Sequence, residues 1–514
     1  MHGETIEQEF KPYGRDLASA AFYFAELTKA RTLLEAMAGA ARKHDEPEVS
    51  SGIKSKEEAI RKQLAEIDAG WETAYKKGEA VLNKLSKKKE ELERELSSLV
   101  SEIRTRYPRY AALKYPKPAP ANELLLRADE VLIEFALTGD VGYMFVIRKD
   151  GINGIYRLNI HQEALEEKVR AFMEPLNTNK PSAFSVKAAS ELYEILFSAA
   201  IKDAKDAEKF VVVPDGMLGL LPFEALITKE GRDHTDSSYV GDKRTITYSQ
   251  SATTLALIRR LRSSEARKPL FALGNPVYDR SDPRYIAYKQ GGPPPVAAKD
   301  AAQFAYRGVT VLPKGDGEWE EVTYPPLPET EDEVRAIAKL LGVRPEPPDV
   351  LLNISASETN LRNASLKEYR YLHFATHADL PGTVQGIKEP FMILGQVENR
   401  GADDGLLTLS EVLALRLDAD MVVLSACSTG KGKMMEGEGV ANFSRAFQHA
   451  GTKSVVVSLW EVASGPAVEY MKAFYGHLKA GKNRAEALRL SRGEIKVKYP
   501  NPFYWAVFIL HGEG

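Results

Sequence analysis

The stretch Val422-Val423-Leu424-Ser425-Ala426-Cys427-Ser428-Thr429-Gly430 is the strongest constraint on how this chain folds. An apolar run of strand length has no polar face to offer water, so it belongs inside a sheet covered on both sides. It then breaks into small residues, which marks the end of a strand and the start of a loop. Tyr371-Leu372-His373-Phe374-Ala375-Thr376-His377-Ala378 is a second junction of the same kind. Beyond residue 125 such runs alternate with helical patterns. Strands alternating with helices predict an α/β fold with a mostly parallel sheet between two helical layers.

Composition narrows the class. The 514 residues are 44% hydrophobic, enough for sizeable cores and for more than one domain. Basic and acidic residues number 69 and 72, giving a net charge of −3, which argues against direct nucleic-acid binding and against wholesale membrane-surface binding. No apolar run has the length of a membrane span, and Met1-His2-Gly3-Glu4 opens a polar stretch unlike a signal peptide. One cysteine allows no internal disulfide, and no Cys/His cluster has zinc spacing. These features predict a soluble, cytoplasmic protein of a reducing compartment, with no metal and no cofactor.

Residues 1–106 read as a helical region. Ala20, Phe24, Leu27 and Leu34 share one face of a first helix, and His44-Asp45-Glu46-Pro47 stops it. Ile60, Leu64, Ile67 and Trp71 fall at 4-3-4 spacing, as do Leu92, Leu96, Leu99 and Ile103. That spacing makes a coiled-coil-like seam, closed by folding back as a hairpin or by a partner. The run from Lys87 to Glu95 reads as a solvated face. Pro108, Pro116, Pro118 and Pro120 make residues 107–124 a stiff linker.

Residues 125–326 form a first α/β half, with strands at 131–137, 143–148, 154–158, 210–213 and 270–274. Lys149-Asp150-Gly151 is a hairpin turn. Residues 276–326, with Gly291-Gly292-Pro293-Pro294-Pro295 and Tyr324-Pro325-Pro326, read as an irregular surface insert; the sharper alternative is a lid or regulatory loop. Residues 327–514 form the second half. Thr330-Glu331-Asp332-Glu333 and Thr408-Leu409-Ser410-Glu411 predict two capping boxes. Strands are expected at 369–377, 391–395, 421–426 and 454–460. Helices are expected at 408–416, 438–450 and 465–479, and residues 501–510 close the chain as a buried strand.

Cys427 alone is a small buried hydrophobe and His377 alone a structural histidine. Together they acquire chemical meaning. They lie 50 residues apart, each where an apolar strand gives way to small residues. A thiol and an imidazole at the carboxyl ends of strands are what a nucleophile and its base require. Ser425 is the weaker nucleophile, because Gly-x-Ser-x-Gly is absent around it. His373, on the strand face of Ala375 and His377 if that strand is regular, reads as structural.

These junctions, together with Val213-Pro214-Asp215-Gly216, Leu221-Pro222-Phe223-Glu224-Ala225-Leu226, Tyr248-Ser249-Gln250-Ser251-Ala252-Thr253, Glu436-Gly437-Glu438-Gly439, Arg445-Ala446-Phe447, Ser458-Leu459-Trp460 and Tyr504-Trp505-Ala506, resemble the CHAT domain. That is a caspase-like, separase-related cysteine protease family, often found behind tetratricopeptide repeats. The resemblance covers about residues 130–514. It implies a caspase-like αβα sandwich, with residues 125–326 as a pseudo-caspase half and 327–514 as the catalytic half. The N-terminal helices resemble the last repeats and linker helices that precede such domains.

The resemblance further implies peptide-bond hydrolysis through a thioester, with Cys427 attacking and His377 protonating the leaving amine and then activating water. Backbone N–H groups of Ala378 and Cys427 would hold the oxyanion; many relatives have Gly where this chain has Ala378. Whether His377 deprotonates the thiol or mainly orients the site stays open. The strand Val455 to Trp460 would pair with an extended substrate. Ser458, Trp460, Glu461, Glu438 and Asp379 are substrate-binding candidates. An acidic pocket would favour Lys or Arg before the cut, although Val462-Ala463-Ser464 follows where relatives often carry Asp. Implied partners are a protein substrate, such as a gasdermin-like or operon-encoded protein, and a protein or CRISPR-effector activator at the N-terminal helices, in prokaryotic defence or cell death. The alternatives are a catalytically silent adaptor and, further off, an acyl transferase or ligase.

Overall fold

The computed structural model describes residues 16–40, 50–77, 79–107, 118–202, 204, 206–260, 267–292, 309–313, 319–379, 387–401, 403–425, 438–460 and 464–514. The chain divides into two compact units, one of Met1–Lys29 with Ala119–Gly514 and one of Ala30–Pro118.

An 11-stranded sheet is the spine of the larger unit. Its order is Val350–Leu352, Lys268–Gly274, Tyr369–Ala375, Met421–Leu424, Ser454–Ser458, Phe508–Gly512, Thr245–Tyr248, Lys209–Val213, Glu130–Thr138, Val141–Arg148 and Gly151–Leu158. The first five strands are parallel throughout. Phe508–Gly512 runs antiparallel to Ser454–Ser458 and parallel to Thr245–Tyr248. The sheet therefore reverses its sense at this strand, and the last three strands form an antiparallel meander. The expected α/β class with a mostly parallel sheet and a helical N-terminal region is what the chain adopts.

Alternation along the strands explains the two covering layers. Val131, Ile133, Phe135, Phe210 and Val212 pack on one face with Leu165, Val169 and Phe172 of the helix Gln162–Asn177. Leu132, Val211 and Val213 pack on the other with Phe22 of the helix Leu17–Ala40 and Leu255 of the helix Ala252–Arg260. Two charges of the first helix are buried with that layer. Glu26 caps Ala252–Arg260, accepting from Ala252 N at 2.8 Å and Thr253 N at 2.7 Å. Lys29 pairs with Glu134 at 3.1 Å, where the Glu134 side chain has no exposure.

In the smaller unit the helices Ser51–Lys77 and Glu79–Arg106 pack along Ile53, Ile60, Ile67, Leu92, Leu99 and Ile103, with Leu64 and Leu96 alongside. The seam is thus closed as a hairpin, with Lys56 and Glu95 paired at 3.2 Å beside it.

Several local expectations change. Thr408 and Glu411 form the predicted capping box, but Thr330 and Glu333 do not. The helix Pro328–Leu341 starts three residues earlier, with Leu327 as its N-cap and Pro328 in its first turn, and Glu333 is bonded to His373 instead. The strand expected at 369–377 breaks at Thr376, so His373 and His377 do not belong to one regular strand. Residues 501–510 are not one strand. Asn501 caps a short helix, Pro502–Trp505, by accepting from Phe503 N, and the strand is Phe508–Gly512. The insert 276–326 contains a helix, Pro283–Lys289, and a hairpin of Val309–Pro313 with Trp319–Thr323.

Candidate active site

Tyr369–Ala375 and Met421–Leu424 are neighbouring parallel strands in which Phe374 pairs with Leu424. Both end at the same edge of the sheet. The chain past Tyr369–Ala375 turns at Thr376 into a short strand, His377–Asp379, which pairs antiparallel with Phe391–Ile393 in a separate three-stranded sheet. The chain past Leu424 is still tied to its neighbour, because Ser425 N donates to Phe374 O at 2.9 Å. Cys427 is two residues further on. It lies outside the described residues, as do Glu461 and the side chain of Glu438.

His377 is 2% exposed. Its Nε2 lies 2.8 Å from Pro325 O. A carbonyl only accepts, so Nε2 carries the proton and Nδ1 is the bare nitrogen of the neutral ring. Nδ1 is buried and has no hydrogen-bond partner among the described residues. Burial holds the pKa of His377 below the ordinary imidazole value of 6.5, against the opposing pull of the Pro325 hydrogen bond and the Asp379 charge. The ring is therefore neutral near pH 7 and offers a lone pair at Nδ1.

Two tyrosines wall the imidazole, with Tyr278 at 5.3 Å and Tyr324 at 5.6 Å between ring centroids. Tyr278 bonds Thr376 Oγ1 at 2.9 Å, and Tyr324 donates to Asp379 Oδ2 at 3.1 Å. Burial raises the pKa of both phenols, and for Tyr324 the Asp379 charge adds to it, so both remain protonated donors. Tyr278 and Tyr324–Pro325 belong to the two ends of the insert 276–326. The end that read as a surface excursion is a wall of the histidine site, and Tyr324 is 1% exposed. Sequence inspection missed these residues; the only signal was a large aromatic directly before a Pro-Pro pair.

The other candidates are distributed as follows. Asp379 is buried and engaged by Tyr324. Ala378 pairs with Met392 in the short strand. Ser458 is buried at the end of its strand and pairs with Phe508. Trp460 stacks on Phe503 and donates Nε1–H to Phe503 O at 2.9 Å. His373 is buried within hydrogen-bond distance of Glu333 at 2.8 Å and Tyr475 at 3.2 Å, in keeping with its structural reading. The expectation that Val455 to Trp460 pairs with substrate fails for its first three residues. Both edges of residues 455–457 are already taken, by Met421–Leu424 and by Phe508–Gly512. Leu459 N also donates to Val507 O.

A family model described as the CHAT domain matches residues 186–513, well over half of the chain. The chain belongs to the CHAT domain family. Both strand-end junctions of this CHAT domain fall within the match. Among curated proteins the chain is similar to tetratricopeptide repeat protein 28 of Mus musculus, 28% identical over 219 residues, covering 36% of this chain and 9% of that protein. The human protein of the same name is 28% identical over 217 residues, covering 36% and 8%. The chain thus spans less than a tenth of the length of these relatives. Among solved structures it is similar to the separase–securin complex of Saccharomyces cerevisiae, at 10% identity and a TM-score of 0.40, covering 98% of this chain and 41% of that one. It is also similar to the Arg specific cysteine proteinase gingipain R, at 11% identity and a TM-score of 0.34, covering 68% and 73%. Among the described residues no helix is long and apolar enough to cross a membrane.

Proposed function

We propose that this CHAT protein is a cysteine endopeptidase with His377 as acid–base and Cys427 as nucleophile. The observation that carries the reading is the state of His377. It is buried, its Nε2–H is held by Pro325 O and its Nδ1 is unpartnered among the described residues, at the end of the strand beside the one that leads into Cys427. A neutral, oriented imidazole with one free nitrogen is what proton transfer to and from a thiol and an amine needs.

In this reading the Cys427 thiol proton passes to Nδ1 and the sulfur bonds to the scissile carbonyl carbon. The carbon–nitrogen bond breaks as Nδ1–H is returned to the leaving amine, leaving a thioester. Water gives a proton to Nδ1 and adds to the thioester; the carbon–sulfur bond then breaks and the thiol regains its proton. One water is consumed for each amide cut. The N–H groups of Ala378 and Cys427 are the proposed oxyanion donors. Ser458, Trp460, Glu461 and Glu438 remain the proposed substrate-side residues, with Asp379 the weakest because Tyr324 engages it.

The name of the tetratricopeptide relatives supports a protein partner; that such a partner switches the enzyme on, in defence or cell death, follows the family resemblance alone. A peptide-library cleavage screen read by mass spectrometry tests the activity. Cuts made by the wild type and absent with Cys427→Ala establish it. No cuts, together with no labelling of Cys427 by an acyloxymethyl-ketone probe, leave the adaptor reading in its place.

A further inference from the structure

Resting on the assignment of His377 as the base, we infer that Tyr324 and Asp379 are positioning residues: their hydrogen bond clamps the end of the insert 276–326 against the histidine strand, so that Pro325 O stays on Nε2. Three observations meet here. Tyr324 packs its ring on the imidazole and donates its hydroxyl to Asp379 at 3.1 Å. Asp379 is two residues past His377 in the same short strand. Pro325, next to Tyr324 in the chain, supplies the carbonyl 2.8 Å from Nε2. The three residues and the imidazole thus close a loop between two segments 52 residues apart in sequence.

The need for such a clamp is physical. Pro325 precedes Pro326, so its backbone is held extended, and a proline offers no N–H to pin it by pairing. The carbonyl can be placed only through its neighbours, and Tyr324 is the neighbour with a buried polar anchor. The hairpin strand Trp319–Thr323 ends immediately before Tyr324. Displacing the hairpin would draw on the clamp, and through it on the tautomer of His377.

The test uses the full chain labelled with 15N-histidine, with His377 signals assigned by their loss in His377→Ala. Wild type should show one Nε2–H tautomer. Tyr324→Phe keeps the ring and removes the hydroxyl; it should give a mixed tautomer, with kcat on a cleavable peptide lower by about 10- to 100-fold and KM little changed. Asp379→Asn keeps an acceptor oxygen and should stay at the wild-type tautomer. An unchanged tautomer in Tyr324→Phe overturns the inference. So does a mixed tautomer in Asp379→Asn, because charge rather than the hydrogen bond would then be what positions the ring. The tautomer is read without any cleavage, so a wild type that neither cuts nor takes the ketone probe at Cys427 but shows the Tyr324→Phe shift would sink the protease reading and leave the clamp standing.

Discussion

Phe374 and Leu424 face each other across a parallel ladder, and Ser425 N donates to Phe374 O just beyond them. His377 and Cys427 each come three residues after that pair in sequence. The strands that precede the two candidate residues therefore end side by side at the same edge of the sheet, which is where parallel α/β sheets place their chemistry.

Cys427→Ala should abolish cleavage while leaving the urea unfolding midpoint unchanged, since Ala keeps a small side chain at that position. His377→Ala should lower kcat/KM by about 10²- to 10⁴-fold, the usual contribution of a positioned acid–base. Wild-type cleavage by either variant would refute the dyad.

The acid limb of the kcat/KM–pH profile should lie below pH 6.5. Burial lowers the pKa of His377 from that value, so the ring stays neutral, and able to accept a proton, further into acid than a free histidine. Asp379 pulls the other way, so Asp379→Asn should move the limb lower still. A limb above 6.5 would contradict the burial of this ring.

His511 provides a stability test far from catalysis. It lies in Phe508–Gly512, both ring nitrogens are buried without partners among the described residues, and burial, helped by Arg445, lowers its pKa to about 3. Below pH 6.5 the unfolded chain takes a proton that the folded chain refuses. Stability should then fall as pH drops from 6.5 toward 3, by about 1.4 kcal/mol per pH unit. At pH 5 that is about 2 kcal/mol. Urea denaturation at pH 7.5 and 5 should show this loss reduced by that amount in His511→Phe; equal losses in the two proteins would rule it out.

Lys29→Met should destabilise the larger unit by about 3 kcal/mol. It leaves Glu134, with no side-chain exposure and already held well above the usual carboxylate range by burial and by Glu26, without the cation that opposes them. Adding Glu134→Gln should recover most of the loss. A single variant as stable as wild type, measured by denaturant titration, would mean that Glu134 is protonated and indifferent to Lys29.

What could be read from the sequence was local. Apolar runs of strand length, the Lys149-Asp150-Gly151 turn, the Thr408–Glu411 capping box and the 4-3-4 spacing of Ile60, Leu64 and Ile67 act through neighbours a few residues away, and each appears in the structure. The placing of His377 and Cys427 after strands was legible for the same reason. The misreadings came where a distant group outbid a near one. Glu333 serves His373 across 40 residues rather than capping its own helix. Residues 455–457 are closed to a substrate strand because Phe508–Gly512, from the far end of the chain, occupies the edge that Met421–Leu424 leaves. Above all, the tautomer of His377 rests on a carbonyl 52 residues earlier, held by a tyrosine in a segment that local pattern reads as loop. Hydrogen-bond partners of buried polar groups are assigned by packing in three dimensions, so the sequence alone determined that His377 and Cys427 each follow an apolar strand, and only the tertiary structure decided which nitrogen of His377 carries the proton.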